Sequence, residues 1–210
     1  MEWSREERTL EKPLGSGAAE VELVEERCVL SNGLIGRIVN RALSAPPLPD
    51  ESLSDTKAYV MIVPGTPPKS SASTVKSKGL PRHTSERIVG CVVASRITKA
   101  MRVVEPNELE SSNVLKSDLV CVDIDDAKGN VYCDPTPLPA TLGIPRLFVV
   151  PSHRRQGIAN KLLDSAAKTA IWGCPLKPAG GQIAFSQPTA SGRAVMKSWG
   201  GNDVRIYNEH

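Results

Sequence analysis

The chain has 210 residues, 40% of them hydrophobic, which suits one α/β domain with a real core. Its formal net charge is only +3, so it is no bulk polycation, although local basic patches for an acidic ligand stay open. No run approaches the roughly 18 apolar residues of a membrane span, and the polar, charged start "MEWSREERTL" has the make-up of neither a secretory signal nor a transit peptide.

Residues 20–30, "EVELVEERCVL", alternate in part and predict a first strand. "SNGLIGRIVNRAL" follows, with Ser31 or Asn32 as N-cap and Leu34, Ile35, Ile38, Val39 and Ala42 at helical spacing. "APPLPDES" breaks that pattern, and 57–63, "KAYVMIV", read as a strand. Residues 64–86 are rich in Pro, Ser and Lys and are expected to form a flexible surface insertion within a single domain spanning 1–210. "RIVGCVVASRI", 87–97, predicts a buried strand, with "AMRVVEP" pairing beside it. The polar stretch 105–117 reads as loop, "DLVCVDI" (118–124) as strand, and "DDAKGNVYCDPTPLPATLG" as turn-rich, with a tight turn at Lys128-Gly129-Asn130. A strand at 144–150, a helix at 157–171, a strand at 182–186, a helix at 189–199 opened by Thr189, and a strand at 203–207 complete the chain. There is no internal repeat, and the order implies a mixed α/β domain around a central sheet.

Five cysteines at wide spacing, no C-x-x-C and three histidines argue against a zinc site and against a disulfide framework. Cysteines in "VGCVVA" and "LVCVDI" read as small core residues of a reducing compartment. Cys174 has no His or Lys partner placed by sequence and reads as a buried thiol, and Trp172 and Trp199 read as core or helix-end packing.

Chemistry concentrates in "VVPSHRRQGIANKLL", residues 149–163. Pro151 cannot donate to a sheet ladder, so strand pairing is expected to stop or splay there. Arg154, Arg155, Gln156 and Gly157 then lead into a helix whose apolar face is Ile158, Leu162, Leu163, Ala166 and Ala170. The first turn of a helix offers backbone N–H groups without intrahelical partners, and its dipole is positive. Glycine permits close approach, and two arginines add charge, so this turn has the parts of a diphosphate site. His153 beside it reads as an exposed loop residue.

The spacing Arg154-x-x-Gly157-x-Ala159 resembles the phosphate-binding signature of the GNAT N-acetyltransferase superfamily. "GIPRLFVVPSHRRQGIANKLLDSAAKTAIWGC", "QIAFSQPTASGRAV" and "VRIYN" resemble the cohesin acetyltransferases more specifically. "RIVGCVVASRITKAMRVVEP" resembles that family's central strand pair, and "EWSREER" the start of its catalytic region. The likeness covers most of the chain and is weakest in 10–86 and 105–140. It implies a GNAT fold: a mixed sheet splayed at the cofactor strand, with helices on both faces. It also implies acetyl-CoA as donor without a metal, and a lysine on the SMC-type ATPase head of cohesin as acceptor. A nuclear, chromatin-associated role beside other cohesin and replication factors follows from the same likeness, with no direct reading of nucleic acid and no membrane. The zinc finger and sliding-clamp motif usual in that family are not in this chain.

Carried over by position, Leu147, Phe148 and Val149 match the strand along the pantetheine arm and thioester. Arg154, Arg155, Gln156, Gly157, Ile158, Ala159 and Asn160 match the pyrophosphate turn. Thr189, Ala190 and Ser191 match the turn that closes on the cofactor. Acetyl transfer needs a neutral amine, so a group must accept the lysine proton. Asp164 matches a glutamate proposed as general base in that family, but it also lies at salt-bridge spacing from Lys161 and Lys168. Gln187 stands where many relatives have aspartate and cannot act as a base, although it can orient a substrate or water. Pro145 stands where relatives can carry serine. Tyr207 is a candidate proton donor to the thiolate and equally a core tyrosine. An enzyme of this fold acting on another amine, or a module that binds acetyl-CoA or a chromatin partner without turnover, stays open on these residues.

Overall fold

The apolar residues of "AYVMIV" and "VGCVVA" alternate between two cores, one on each face of a sheet. Tyr59, Met61, Val92 and Ala94 belong to one cluster, and Val60, Cys91 and Val93 to the other. The computed structural model describes residues 22–27, 34–43, 46, 55–63, 87–111, 116–122, 131–186 and 188–209. The expected insertion at 64–86, the caps Ser31 and Asn32, and the turn at 128–130 lie outside the described residues.

Among the described residues nine strands form one sheet: β1 (Glu22–Arg27), β2 (Thr56–Val63), β3 (Arg87–Arg96), β4 (Lys99–Val104), β5 (Val120–Val122), β6 (Val131–Pro139), β7 (Leu142–Val149), β8 (Ile183–Phe185) and β9 (Arg205–Ile206). Their order is β1-β2-β3-β7-β8-β9-β4-β6-β5. The pairs β7–β8 and β8–β9 are parallel and the others antiparallel, so the sheet is mixed, as expected. The helices are α1 (Leu34–Leu43), α2 (Pro106–Ser111), α3 (Ile158–Thr169) and α4 (Ala190–Gly200). Ile158, Leu162, Leu163, Ala166 and Ala167 of α3 and Met196 of α4 join the larger cluster, while Val39 of α1 joins the cluster on the other face. Fully burying each of Leu162 and Leu163 is worth about 2 kcal/mol. At Gly90 a Cβ would meet Ile158 Cγ2 at 2.9 Å and Leu162 Cδ1 at 3.0 Å, so the missing side chain seats α3 on β3. The far end of α3 is tied down by Lys57 Nζ, which donates to the Thr169 carbonyl at 2.9 Å.

Three expectations need correction. β4 does not pair with β3; it pairs with β6 and β9. The cause is a bend at Ile97–Thr98, where Ile97 N donates to Thr141 O (3.3 Å) and Ala140 N donates to Thr98 O (3.2 Å). There the pairing passes from β3–β7 to β4–β6, and β8 and β9 bridge β7 to β4. The stretch 105–117 is not all loop, since α2 begins on Pro106, whose missing N–H costs nothing in a first helical turn. The turn-rich reading of 125–143 concealed β6, which holds Pro135, Pro137 and Pro139. β5 pairs with β6 only as far as Cys133, and the prolines fall beyond its end. The register of β4 on β6 shifts between Ala100↔Leu138 and Arg102↔Asp134, and Thr136 N donates to Asp134 Oδ1 and not to the ladder, so Pro135 and Pro137 sit in an irregularity where proline is tolerated.

Candidate active site

The site is built where β7 loses β8. Their register ends at Ile144↔Phe185, although β7 runs on to Val149 beside β3. A bulge between Val93 and Ser95 lies opposite this point. Ser186 N donates to Ile144 O (3.2 Å) and Ser186 Oγ to Pro145 O (3.0 Å), so two successive carbonyls face β8. Beyond them, Val150 N donates to Val89 O at 2.9 Å. By ladder alternation the backbone groups of Leu147 and Val149 face the side that β8 has left. Arg154 Nε, donating to Val149 O at 3.1 Å, agrees with that direction. The splay thus starts at Pro145, earlier than the expected Pro151, whereas the ladder to β3 does stop before Pro151, which opens a 3₁₀ turn at Pro151–His153. Proline is tolerated at a bulge, and its carbonyl stays anchored by Ser186.

Two residues between that turn and α3 have left-handed backbone: Arg155 at φ 63° and Gly157, the N-cap of α3, at φ 75°. Left-handed residues in such a turn direct successive N–H groups into a concavity that suits an anion. A Cβ at Gly157 would meet nothing within 4 Å, so the glycine is demanded by φ and leaves open space above the helix terminus. Arg155, Gln156 and Asn160 are exposed at this mouth, Ala159 is half-buried, and Ile158 is buried beneath it. Arg154 reaches back to β7, and Gln156 Nε2 donates to Ser152 O at 3.3 Å. His153 is half-buried, not exposed, with Nδ1 at 2.9 Å from Ser152 Oγ. Leu147 and Val149 pack toward the α3 cluster and Phe148 toward α1. Thr189 caps α4 as expected, its hydroxyl accepting from Gly192 N at 3.1 Å, with exposed Ser191 in the first turn after Ala190.

Asp164 is not joined to Lys161 or Lys168 by any ion pair among the described residues. Its Oδ1 accepts a 2.7 Å hydrogen bond from Trp199 Nε1 of α4. Tyr207 lies on the opposite face, packed with Ala100, Ala140 and Ala184. Gly143 makes room for its ring, since a Cβ there would lie 2.8 Å from Cζ. Burial pushes its pKa above the usual tyrosine range and the Glu209 carboxylate adds to this, while a hydrogen bond with Ser95 and the Arg146 charge pull it back. Gln187 lies outside the described residues. Trp172 is 78% exposed, not packed in the core, and Cys174 and Cys121 are exposed thiols, against expectation; Cys91 is buried as expected, and Cys133 is buried as well. Cys174 follows the end of α3, and Cys121 alternates outward between Val120 and Val122, which join the larger cluster, so neither thiol is core.

Sequence reading passed over Arg146. It is 6% exposed, and its guanidinium donates to Pro145 O (2.7 Å), Asn40 Oδ1 (3.3 Å), Pro46 O (2.9 Å) and Glu209 Oε1 (2.5 Å). It therefore joins α1, the bulge and the segment after β9. Ser186 and Trp199 were also missed in these roles. All depend on partners distant in sequence, which no local pattern announces.

A family model described as ESCO1/2 acetyl-transferase matches residues 138–207, the segment that contains the splay, the turn, α3 and α4. Over this segment the chain is similar to the ESCO1/2 acetyltransferases. It is 34% identical over 135 residues to N-acetyltransferase eso1 of Schizosaccharomyces pombe, covering 61% of this chain and 14% of that protein. It is 34% identical over 124 residues to N-acetyltransferase ECO1 of Yarrowia lipolytica, covering 59% of this chain and 36% of that one. The chain thus spans well under two thirds of these relatives. The solved xEco2 acetyltransferase domain superimposes with a TM-score of 0.60 at 21% identity, covering 92% of this chain and 94% of that one. The same domain bound to a K105-CoA conjugate gives 0.58 at 22% identity, covering 89% and 91%. The fold is that of the xEco2 acetyltransferase domain.

Proposed function

We propose that this domain transfers an acetyl group from acetyl-CoA to a protein lysine, in the first instance on the SMC-type ATPase head of cohesin, and acts in the nucleus on chromatin. The observation that carries the reading is the opening of the sheet after Ile144↔Phe185, ending in the left-handed turn at the N-terminus of α3. That arrangement gives a diphosphate its backbone donors and gives an extended amide-bearing arm a strand edge to pair with. The related xEco2 domain has been solved bound to a CoA conjugate, and the curated relatives are named N-acetyltransferases, which supports the same donor and reaction.

The chemistry assigned to this chain is direct transfer. The neutral amine of the acceptor attacks the thioester carbonyl carbon, a C–N bond forms, the C–S bond breaks, and CoA leaves as thiol or thiolate. The Leu147 N–H, facing the open side of β7, is the backbone donor for the developing oxyanion. Asp164 is the proton acceptor, directly or through a water, and its second carboxylate oxygen remains for that role. Tyr207 holds its proton too firmly, and too far inside its cluster, to be assigned more than support of the β7–β9 packing.

The test is to incubate the chain with acetyl-CoA and a recombinant cohesin ATPase head and to map acetyl-lysines by mass spectrometry. Labelling by wild type and not by Gly157→Glu, which sets a carboxylate on a left-handed glycine in the anion site, is the expected result. Turnover on small amines alone would overturn the cohesin assignment, and acetyl-CoA binding without any transfer would overturn the reaction.

A further inference from the structure

We infer that Trp199 is a positioning residue for Asp164, fixing the carboxylate over the mouth of the splay. This rests on the assignment of Asp164 as proton acceptor. α3 packs on β3 and β7 through Ile158, Leu162 and Leu163, while Met196 of α4 joins the same cluster beside Val204 and Ile206 of the β9 region. The seam between the two helices therefore runs over β7 and β8, the strands that part company. Asp164 and Trp199 close that seam with their 2.7 Å hydrogen bond.

Trp199 is itself held from below. Its ring stands edge-on to Phe185, with centroids 6.3 Å apart and planes at 81°. Phe185 is the last β8 residue in register with β7. The chain of contacts Phe185–Trp199–Asp164 thus refers the carboxylate to the point where the sheet opens. An indole N–H only donates, so it engages one carboxylate oxygen and leaves the other to receive a proton. An aspartate on an otherwise exposed helix face has several rotamers, and this bond selects one. The shorter reach of aspartate relative to glutamate makes such selection matter more.

Trp199→Phe keeps an aromatic ring against Phe185 and removes only the N–H. It is expected to lower kcat about tenfold, the size of one charged hydrogen bond, with KM for acetyl-CoA within about twofold of wild type. In an Asp164→Ala background the same change is expected to cost nothing further. An equal loss from Trp199→Phe in both backgrounds would show action through packing and overturn the inference. Wild-type kcat in Asp164→Ala would overturn it by removing Asp164 from the reaction while leaving acetyl transfer standing. Failure of the wild-type chain to acetylate any amine would overturn the enzyme assignment and this inference together. A readout free of turnover is the indole N–H resonance of Trp199, identified as the one missing in Trp199→Phe. It is expected to shift in Asp164→Asn more than the other indole signals, and an unmoved resonance would sink the proposal even where Trp199→Phe folds poorly.

Discussion

Arg146 shows how much a single residue outside any motif can carry. Its guanidinium is buried and multiply bonded, so Arg146→Met takes its donor from the Pro46 carbonyl and from the Glu209 carboxylate, and leaves the Pro145 carbonyl to Ser186. Loss of one partner from a buried pair is expected to cost about 3 kcal/mol, read from urea denaturation. Tyr207 gives a pH signature. Its pKa is raised in the folded chain, so its contribution is fully present below the unfolded tyrosine value of about 10 and is lost as pH rises beyond it. Cys133, pushed up to about 11 mainly by burial, acts in the same direction from the unfolded cysteine value of about 8.5 upward. The urea midpoint is therefore expected to fall between pH 9 and 11, and Tyr207→Phe to flatten part of that fall; an identical profile in the variant would count against it. The thiols divide by exposure. Iodoacetamide at pH 8 is expected to label Cys121 and Cys174 and to spare Cys91 and Cys133, as peptide mapping would show.

At the scale of elements, the strand–turn–helix from β7 to α3 was legible because its signals are local. A proline stop, a glycine at the N-cap and a 3.6-residue apolar repeat sit within one stretch, and Thr189 announces α4 in the same way. β6 was not legible, because prolines mark a turn unless the neighbouring strand is known to end short of them. The pairing of β4 was hidden for a related reason, since the polar break at Thr98 and Lys99 reads as readily as a hairpin turn as it does as a bend that carries the chain to new partners. The Asp164–Trp199 bond joins positions on different helices, and side-chain letters carry no information about such pairings. The seat of α3 can be tested directly. Gly90→Val would drive a branched side chain into Ile158 and Leu162, and about 2 kcal/mol of stability is expected to be lost as the helix lifts. Acetyl-CoA affinity should fall with it, because the same helix presents the anion turn. An unchanged melting temperature would show that α3 is seated by other contacts.

For the molecule as a whole, the sheet order sets a folding problem as well as a site. β8 and β9 lie between β7 and β4, so the middle of the sheet is made from the last third of the chain. Arg205–Ile206 bridges β8 to β4, and Glu209 then locks onto Arg146. Until residues near 209 have left the ribosome, a nascent chain has β7 and β4 each with a bare edge and Arg146 with its carboxylate partner missing. Non-local pairing of this kind is slow, and bare edges recruit other strands. The sheet therefore cannot close until residues through about 209 have been made, however early β1 to β3 are available.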